Sequence, residues 1–376
     1  MKSVKLNKGV NRREFIKGLG SILSLPLLVS CDAYRNEHEH WLSAAGGKNN
    51  EYSLSWSQNS TNHGTKLLTG FRGHGLTQHP IQHHIVLMFS RRPGNQGVVS
   101  NLLTQKIEHT FTSPDHLFME GHGCFSHDGK LLFCTETNKH TSQGVITVRE
   151  TDTFKVINEI PSGGIGPHEL QILPKQNVLA IANGGLIKDS TGNVINVDTM
   201  ESNITLLDFT SGNIIASYKV PNSKASLRHI DISDDGIIAA AMQIQDYSSE
   251  SPTALTSLIT KDGNSILLNA PETLLKKMKG YVGSVRINNK YRTAAFTSPR
   301  GNIALFWNID TGMFLGQQFF HNVCGITVSK NEEYFVLSNS AGKIRQISSS
   351  TLLENIDLRQ QLPEYQWDNH MITASS

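Results

Sequence analysis

Apolar residues beyond residue 52 occur in short runs, many of them β-branched, which are separated by turns rich in Gly, Asn, Asp and Pro. No segment of this region keeps the three- and four-residue spacing of an amphipathic helix. Short apolar runs between such turns are typical of an all-β protein. The pattern therefore predicts a fold built from many short strands.

One phrase recurs along these strands: a His or small residue, then alternating apolar residues, a turn and a second apolar run. It begins at residues 74, 122, 168, 229, 283, 324 and 370, so successive phrases lie 41 to 61 residues apart. Four-stranded blades of a β-propeller repeat at this length. We therefore predict an all-β, seven-bladed β-propeller. Its last phrase lies near the C-terminus, so N-terminal strands near Tyr52–Trp56 and Lys66–Phe71 must complete its blade and close the ring.

The first 31 residues have the order of an export signal. A basic segment ends at Lys17, and an apolar run from Gly18 to Ser30 follows, which is too short to span a bilayer as a mature anchor. Around Arg12 and Arg13 the sequence resembles the motif that the twin-arginine translocase reads. An ordinary signal anchor with a chance pair of arginines is the alternative.

The apolar run ends at Cys31 in a sequence that resembles a lipobox, which predicts a lipid on this cysteine. Residues 32–50 are polar and suit a flexible tether, which leaves residues 51–376 for the propeller. We therefore expect a monomer that is exported by the twin-arginine route and held by lipid on the periplasmic side of the cytoplasmic membrane. The net charge of +2 includes the basic signal, so no nucleic-acid partner is expected.

Three further cysteines follow Cys31, too few for a disulfide scaffold. Cys124 and Cys134 flank a turn and could face each other across a hairpin. A disulfide and two buried thiols are both compatible with this spacing.

Histidine begins five of the seven phrases, and a cysteine begins a sixth. Innermost strands surround the axis of a propeller, so equivalent positions form a ring at one height. Neutral imidazole binds Zn, Cu, Fe and Ni, and thiolate favours softer ions. We therefore predict a transition-metal site formed by His74, His122, His168, His229 and His370, with Cys324 as a further candidate. Structural histidines that bridge neighbouring blades are the alternative.

Charged residues beside these positions are candidates for orienting the rings or balancing charge. They are Arg72, Glu120, Glu169, Arg228 and Asp368. No catalytic residue is assigned, because no nucleophile elbow, phosphate-binding loop or haem-attachment motif occurs.

Several stretches spread over almost the whole mature chain resemble a bacterial family of twin-arginine-exported propellers of unknown function. Among them are Arg72–Gly75, Ser90–Gly94, Gly164–Leu170, Gly280–Val285, Thr297–Gly301 and Trp367–His370. Genes of this family often lie beside those for imelysin-like iron-uptake proteins. The resemblance therefore implies a role in periplasmic iron handling, with such proteins as partners.

The leading hypothesis is a lipid-anchored propeller that binds iron or copper, in preference to zinc, at its axial mouth and serves metal acquisition. One alternative is a metal-dependent enzyme of lactonase or oxidoreductase type, in which Glu120, Glu169 and Arg228 act on substrate. Another is a metal-free module that binds partner proteins. The fold alone does not choose among them.

Overall fold

The computed structural model describes residues 39–46, 51–58, 63–189, 193–220, 224–245 and 253–375. Within these ranges the chain forms antiparallel strands arranged in seven separate sheets. The predicted export signal and the lipidation residue Cys31 lie outside the described residues and stay predictions. No helix in the described ranges is long and apolar enough to cross a bilayer.

Three N-terminal strands precede the first complete blade: β1 (Glu39–Gly46), β2 (Tyr52–Gln58) and β3 (Gly64–Leu68). Six blades follow in chain order, and each runs from its innermost strand outwards. Blade 1 contains β4 (Gly73–Gln78), β5 (Ile85–Ser90), β6 (Gln96–Asn101) and β7 (Lys106–Thr112). Blade 2 contains β8 (Leu117–Phe125), β9 (Leu131–Asn138), β10 (Gln143–Glu150) and β11 (Val156–Ile165). Blade 3 contains β12 (Pro167–Ile172), β13 (Val178–Asn183), β14 (Asn203–Asp208) and β15 (Asn213–Lys219).

The remaining blades repeat this plan. Blade 4 contains β16 (Ala225–Ile232), β17 (Ile238–Ile244), β18 (Thr256–Ile259) and β19 (Ser265–Leu267). Blade 5 contains β20 (Ser284–Asn288), β21 (Thr293–Ser298), β22 (Ile303–Asn308) and β23 (Phe314–Phe319), and the short helix α1 (Glu272–Lys277) precedes it. Blade 6 contains β24 (Val323–Val328), β25 (Tyr334–Asn339), β26 (Lys343–Ser348) and β27 (Glu354–Gln361). The last strands are β28 (Gln366–Trp367) and β29 (Ile372–Ser375).

Blade 7 joins the two ends of the chain. The C-terminal strands β28 and β29 both pair antiparallel with β1, which pairs in turn with β2 and β3. The prediction of a seven-bladed propeller closed by N-terminal strands is therefore confirmed. The predicted boundary between tether and propeller at residue 51 is wrong, because residues 39–46 form a strand of blade 7.

The strand β1 was missed because its composition is unlike that of the other strands. It contains Ser43, Ala44 and Ala45, small residues that carry little hydrophobic signal. Trp41 and Leu42 are nevertheless completely buried in it. Small side chains suit a strand packed between two sheets, because the close packing there restricts the size of the side chains.

The hydrophobic core is divided among the seven interfaces between adjacent blades, with one cluster of buried side chains in each. Phe89 and Phe125, for example, pack between blades 1 and 2. Inner strands such as β5 and β13 are buried along their whole length, because a neighbouring blade covers each face. The outermost strand β23 alternates between exposed and half-buried residues. Packing between blades therefore fixes the positions of the innermost strands around the axis.

Cys124 and Cys134 are free thiols. Cys124 lies opposite Phe133 on the neighbouring strand, and Cys134 lies opposite Gly123. Since successive residues of a strand point to opposite faces, the two thiols point away from each other. Cys134 packs towards blade 1 and Cys124 towards blade 3, which selects free thiols over a disulfide.

Candidate metal centre

Five innermost strands lose their regular pairing at the position where the repeated phrase begins. The register shifts lie in β4, β8, β12, β16 and β24. A bulge leaves a residue out of the ladder and changes the direction of nearby side chains. In β12 the extra residue is His168, and in β16 it is Arg228, next to His229. The strand β20, whose phrase begins without a histidine, pairs without a shift.

The five predicted histidines lie together in one cluster on the axis. In nine of the ten pairs, all except His168 with His370, the ring centroids lie between 4.4 Å apart, for His229 and His370, and 6.2 Å apart, for His74 and His229. None of the five residues is more than 8% exposed. The repeat therefore predicted correctly which histidines meet, and we call this group the histidine cluster.

Two glycines allow the rings to approach so closely. A Cβ atom on Gly75 would lie 2.6 Å from His122 Nδ1, and one on Gly121 would lie 2.9 Å from His74 Cδ2. Gly121 also has a φ of +107°, which residues with a side chain rarely adopt. A larger residue at either position would push the imidazoles apart.

Four ring nitrogens of the histidine cluster are buried without a hydrogen-bond partner in the described part of the chain. They are His74 Nδ1, His122 Nε2, His168 Nδ1 and His370 Nε2. Buried polar atoms in native proteins nearly always have a partner. Histidines that served only to bridge blades would have these nitrogens bonded to neighbouring blades. Because these four nitrogens make no hydrogen bond, the interpretation that the histidines are metal ligands is favoured over a purely structural role.

Two groups of three imidazoles have the geometry to hold an ion. His74, His122 and His168 form one, and His122, His229 and His370 form the other. The ligand atoms of each group lie within 4.8 Å of one another. Three nitrogens bound at about 2.0–2.1 Å to one ion would lie about 3.4–3.6 Å apart, so the rings would move closer together to hold it.

Burial keeps all five imidazoles neutral. It lowers the pKa of His122 to about 4 and that of His229 to about 3, with further lowering from the nearby Arg286 guanidinium. The pKa values of His74, His168 and His370 lie well below the usual range, because burial and the neighbouring histidines oppose a positive charge. Neutral imidazole is the form that binds a metal.

Glu169 fixes the orientation of one ring. Its Oε2 accepts a hydrogen bond from the Ile230 backbone N–H at 3.2 Å and lies 3.0 Å from His229 Nδ1. This oxygen is therefore an acceptor, so His229 carries its proton on Nδ1 and leaves the Nε2 lone pair free. Carboxylate, histidine and metal are commonly arranged in this order. Burial raises the pKa of Glu169, whereas His122 and Arg286 lower it.

The other charged candidates lie beside the histidine cluster rather than against its rings. Arg72 pairs with Asp368 at 3.0 Å, and Glu120 binds Arg92 at 3.0 Å and accepts a hydrogen bond from Thr137. Arg228 is 7% exposed, and burial, with the nearby Arg92, lowers its pKa to about 9. In the described ranges none of these four predicted residues hydrogen-bonds to an imidazole of the cluster.

Cys324 is not part of either histidine group. Its Sγ lies 3.3 Å from the Trp367 carbonyl oxygen, to which the thiol donates, in the hydrophobic interface between blades 6 and 7. Burial raises the pKa of this thiol to about 12. The repeated phrase correctly predicts that Cys324 lies in an innermost strand. Its side chain, however, faces the interface between blades 6 and 7 and not the axis.

The histidine cluster separates two cavities along the axis. A cavity of about 490 Å³ lies towards the ends of the innermost strands and includes His122, Glu169 and Arg286. A cavity of about 470 Å³ lies before their starts and includes His74, His168 and His229. Sequence reasoning assigned no role to Arg91, Arg92, Tyr281 or Arg300 in the second cavity, although each lies in a stretch that carries the family resemblance.

These features define the chain as a seven-bladed β-propeller with a buried histidine cluster that closes its axis. It belongs to the family described as "Protein of unknown function (DUF1513)", which matches residues 68–374. The resemblance noted in the sequence is thereby confirmed. No curated protein matches the chain.

Solved structures with a similar fold come from unrelated systems. One is hydrazine synthase of Kuenenia stuttgartiensis, with 13% identity, a TM-score of 0.56, and coverage of 79% of this chain and 91% of that chain. Another is a chain of the mitotic checkpoint complex, with 12% identity, a TM-score of 0.58, and coverage of 80% and 82%. At this identity the likeness shows the propeller fold alone.

Proposed function

We propose that this protein binds a transition-metal ion in the histidine cluster and serves metal acquisition. The observation that carries the proposal is the set of four buried ring nitrogens without partners among five neutral imidazoles. Leaving one buried polar group unsatisfied costs about 1–3 kcal/mol. A bound ion would satisfy several of them at once.

The preferred ligands are His122, His229 and His370. The Nε2 atoms of His122 and His370 are buried and have no hydrogen-bond partner. Glu169 contacts Nδ1 of His229, so Nε2 of that ring is also available to a metal. Their grouping within 4.8 Å supports this choice. His74 and His168 then provide further nitrogens on the side of the second cavity.

Iron or copper is the proposed cargo, ahead of zinc. Imidazole ligands accept all three metals, so the preference rests on the resemblance to exported propellers linked to iron handling. The proposed location, on the periplasmic side of the membrane with a lipid on Cys31, rests on the sequence of the first 31 residues. Partners among periplasmic iron-uptake proteins belong to the same proposal.

Elemental analysis of the purified full chain tests the metal site. We expect about one transition-metal ion per chain, since a single axial cluster is present in the described ranges. His122→Ala removes a ligand common to both histidine groups, and His168→Ala removes one from the first. The former variant should lose most of the metal, because three-ligand sites tolerate the loss of a ligand poorly.

His140→Ala is the matched control, because His140 is exposed and lies outside the axis. A His122→Gln variant, checked by circular dichroism, separates loss of the metal from loss of the fold. Unchanged metal content in His122→Ala and His168→Ala would overturn the proposal. So would a folded wild-type chain that retains no metal after reconstitution with ferrous or cupric ions.

A further inference from the structure

The second cavity is strongly basic, and we call it the basic cavity. Its walls carry six cationic side chains and a single carboxylate, that of Asp368. The cations are Arg72, Arg91, Arg92, Lys188, Arg228 and Arg300. Such a concentration of one charge inside a concave surface attracts anions, because the low-dielectric walls focus its field.

Two of the cations are neutralised within the protein. Arg72 pairs with Asp368, and Arg92 pairs with Glu120, each at 3.0 Å. Arg91, Lys188, Arg228 and Arg300 form no ion pair with a carboxylate in the described ranges. Arg300 lies over the Tyr281 ring, 4.8 Å from its centroid, which orients the guanidinium without neutralising it. The basic cavity therefore keeps an uncompensated positive charge.

Arg228 is the most informative of these residues. It is only 7% exposed, and its buried Nε has no hydrogen-bond partner. A buried charge without a partner is strongly unfavourable, whereas guanidinium binds carboxylates through two parallel hydrogen bonds. The bulge in β16 holds Arg228 at this position, next to His229. A buried guanidinium without a partner on the wall of a cavity indicates a binding site for an anion.

The cations reach the basic cavity from several directions. Arg91 follows β5 in blade 1, Lys188 follows β13 in blade 3, and Arg228 lies in β16 of blade 4. Arg300 follows β21 in blade 5. Because the positive groups are distributed around the wall, they match an anion with several separated negative groups. An anion with a single charged group would contact only some of them. A volume of about 470 Å³ is within the range of small-molecule sites.

We propose that the basic cavity binds a small di- or tricarboxylate anion. Its carboxylates would lie against Arg228, Arg91 and Arg300, whose planar guanidinium groups suit bidentate contacts. His74, His168 and His229 line the same cavity. A carboxylate oxygen bound there would lie next to the histidine cluster, so an ion could arrive as a carboxylate complex; this last step rests on the proposed metal site.

Calorimetric titration of the metal-free full chain with citrate tests the proposal, with acetate and inorganic phosphate as separate titrants. We expect citrate to bind one-to-one, and acetate and phosphate to bind at least about tenfold more weakly, since they contact fewer guanidinium groups. Arg228→Gln should weaken citrate binding by about tenfold or more. Arg91→Gln, at an exposed position, should weaken it without affecting the fold.

Arg359→Gln is the control, because Arg359 pairs with Glu354 on the outermost strand β27. It should bind citrate like the wild type. His122→Ala should lose metal yet keep citrate binding, so failure of the metal site and failure of the anion site are distinguishable. The proposal is overturned if folded wild-type protein does not bind citrate, if phosphate binds as tightly, or if both arginine variants bind as well as the wild type.

Discussion

Single residues in the histidine cluster are constrained by what surrounds their ring nitrogens. The sequence revealed which histidines meet, because each blade places the equivalent residue at one height around the axis. It did not reveal which nitrogen of each ring is free, since that depends on a contact such as His229 with Glu169 between neighbouring blades. Nor did it reveal that the Cys324 thiol faces a blade interface.

A change of Glu169 to Gln tests whether the contact between this carboxylate and His229 supports metal binding. The amide is uncharged and binds His229 less strongly, so metal affinity should fall by roughly 10- to 100-fold while the fold persists. Competition with a chromophoric chelator measures the affinity. Glu159→Gln is the matched control, because it removes an exposed pair with His116 at 3.1 Å, remote from the axis. Equal affinity in Glu169→Gln and wild type would show that this carboxylate does not support the site.

Individual strands were predictable from their apolar runs, whereas their irregularities were not. A bulge is defined by pairing with another strand, and nothing in one strand's own pattern shows where the partner slips. The close-packed glycines beside His74 and His122 were visible in the phrases, but their role depends on the approach of two blades. The strands could therefore be predicted from the sequence, whereas the bulges and glycine contacts that shape the site required the three-dimensional structure.

Gly121→Ala tests whether the bulge in β8 shapes the site. The new Cβ meets His74 and the backbone has a φ of +107°, so the free energy of unfolding should fall by about 1–3 kcal/mol, together with metal affinity. Urea unfolding and metal titration measure the two effects.

Gly212→Ala provides the comparison. Gly212 has a φ of +75°, but nothing lies within 4 Å of an added Cβ. This variant should lose stability of about 1 kcal/mol from backbone strain and retain wild-type metal affinity. If Gly121→Ala also kept full metal affinity, close packing of the imidazoles would not control binding.

The whole molecule depends on the joining of its two ends in blade 7. The count of blades and the principle of closure followed from the repeat length and from the need to avoid exposed edges. The contribution of β1 did not, because Trp41 and Leu42 stand among small and polar residues. A strand that supplies buried surface to two interfaces can carry little hydrophobic signal of its own.

Truncation measures the contribution of β1. A chain that begins at residue 51 lacks Trp41 and Leu42, and each large buried side chain contributes about 2–5 kcal/mol. Since a typical domain is stable by only about 5–15 kcal/mol, this chain should fail to unfold cooperatively. A chain that begins at Glu39 is the control and should melt as a single folded unit. Equal melting midpoints for the two chains would contradict the assigned role of β1.

Anomalous X-ray scattering from crystals of the purified protein tests the central claim most directly. Data collected at the absorption edge of the metal found by elemental analysis locate the ion without assumptions about its ligands. We predict one peak on the propeller axis, about 2.0–2.2 Å from nitrogens of His122, His229 and His370. Well-ordered imidazoles with no anomalous peak among them, or an ion bound away from the histidine cluster, would contradict the account.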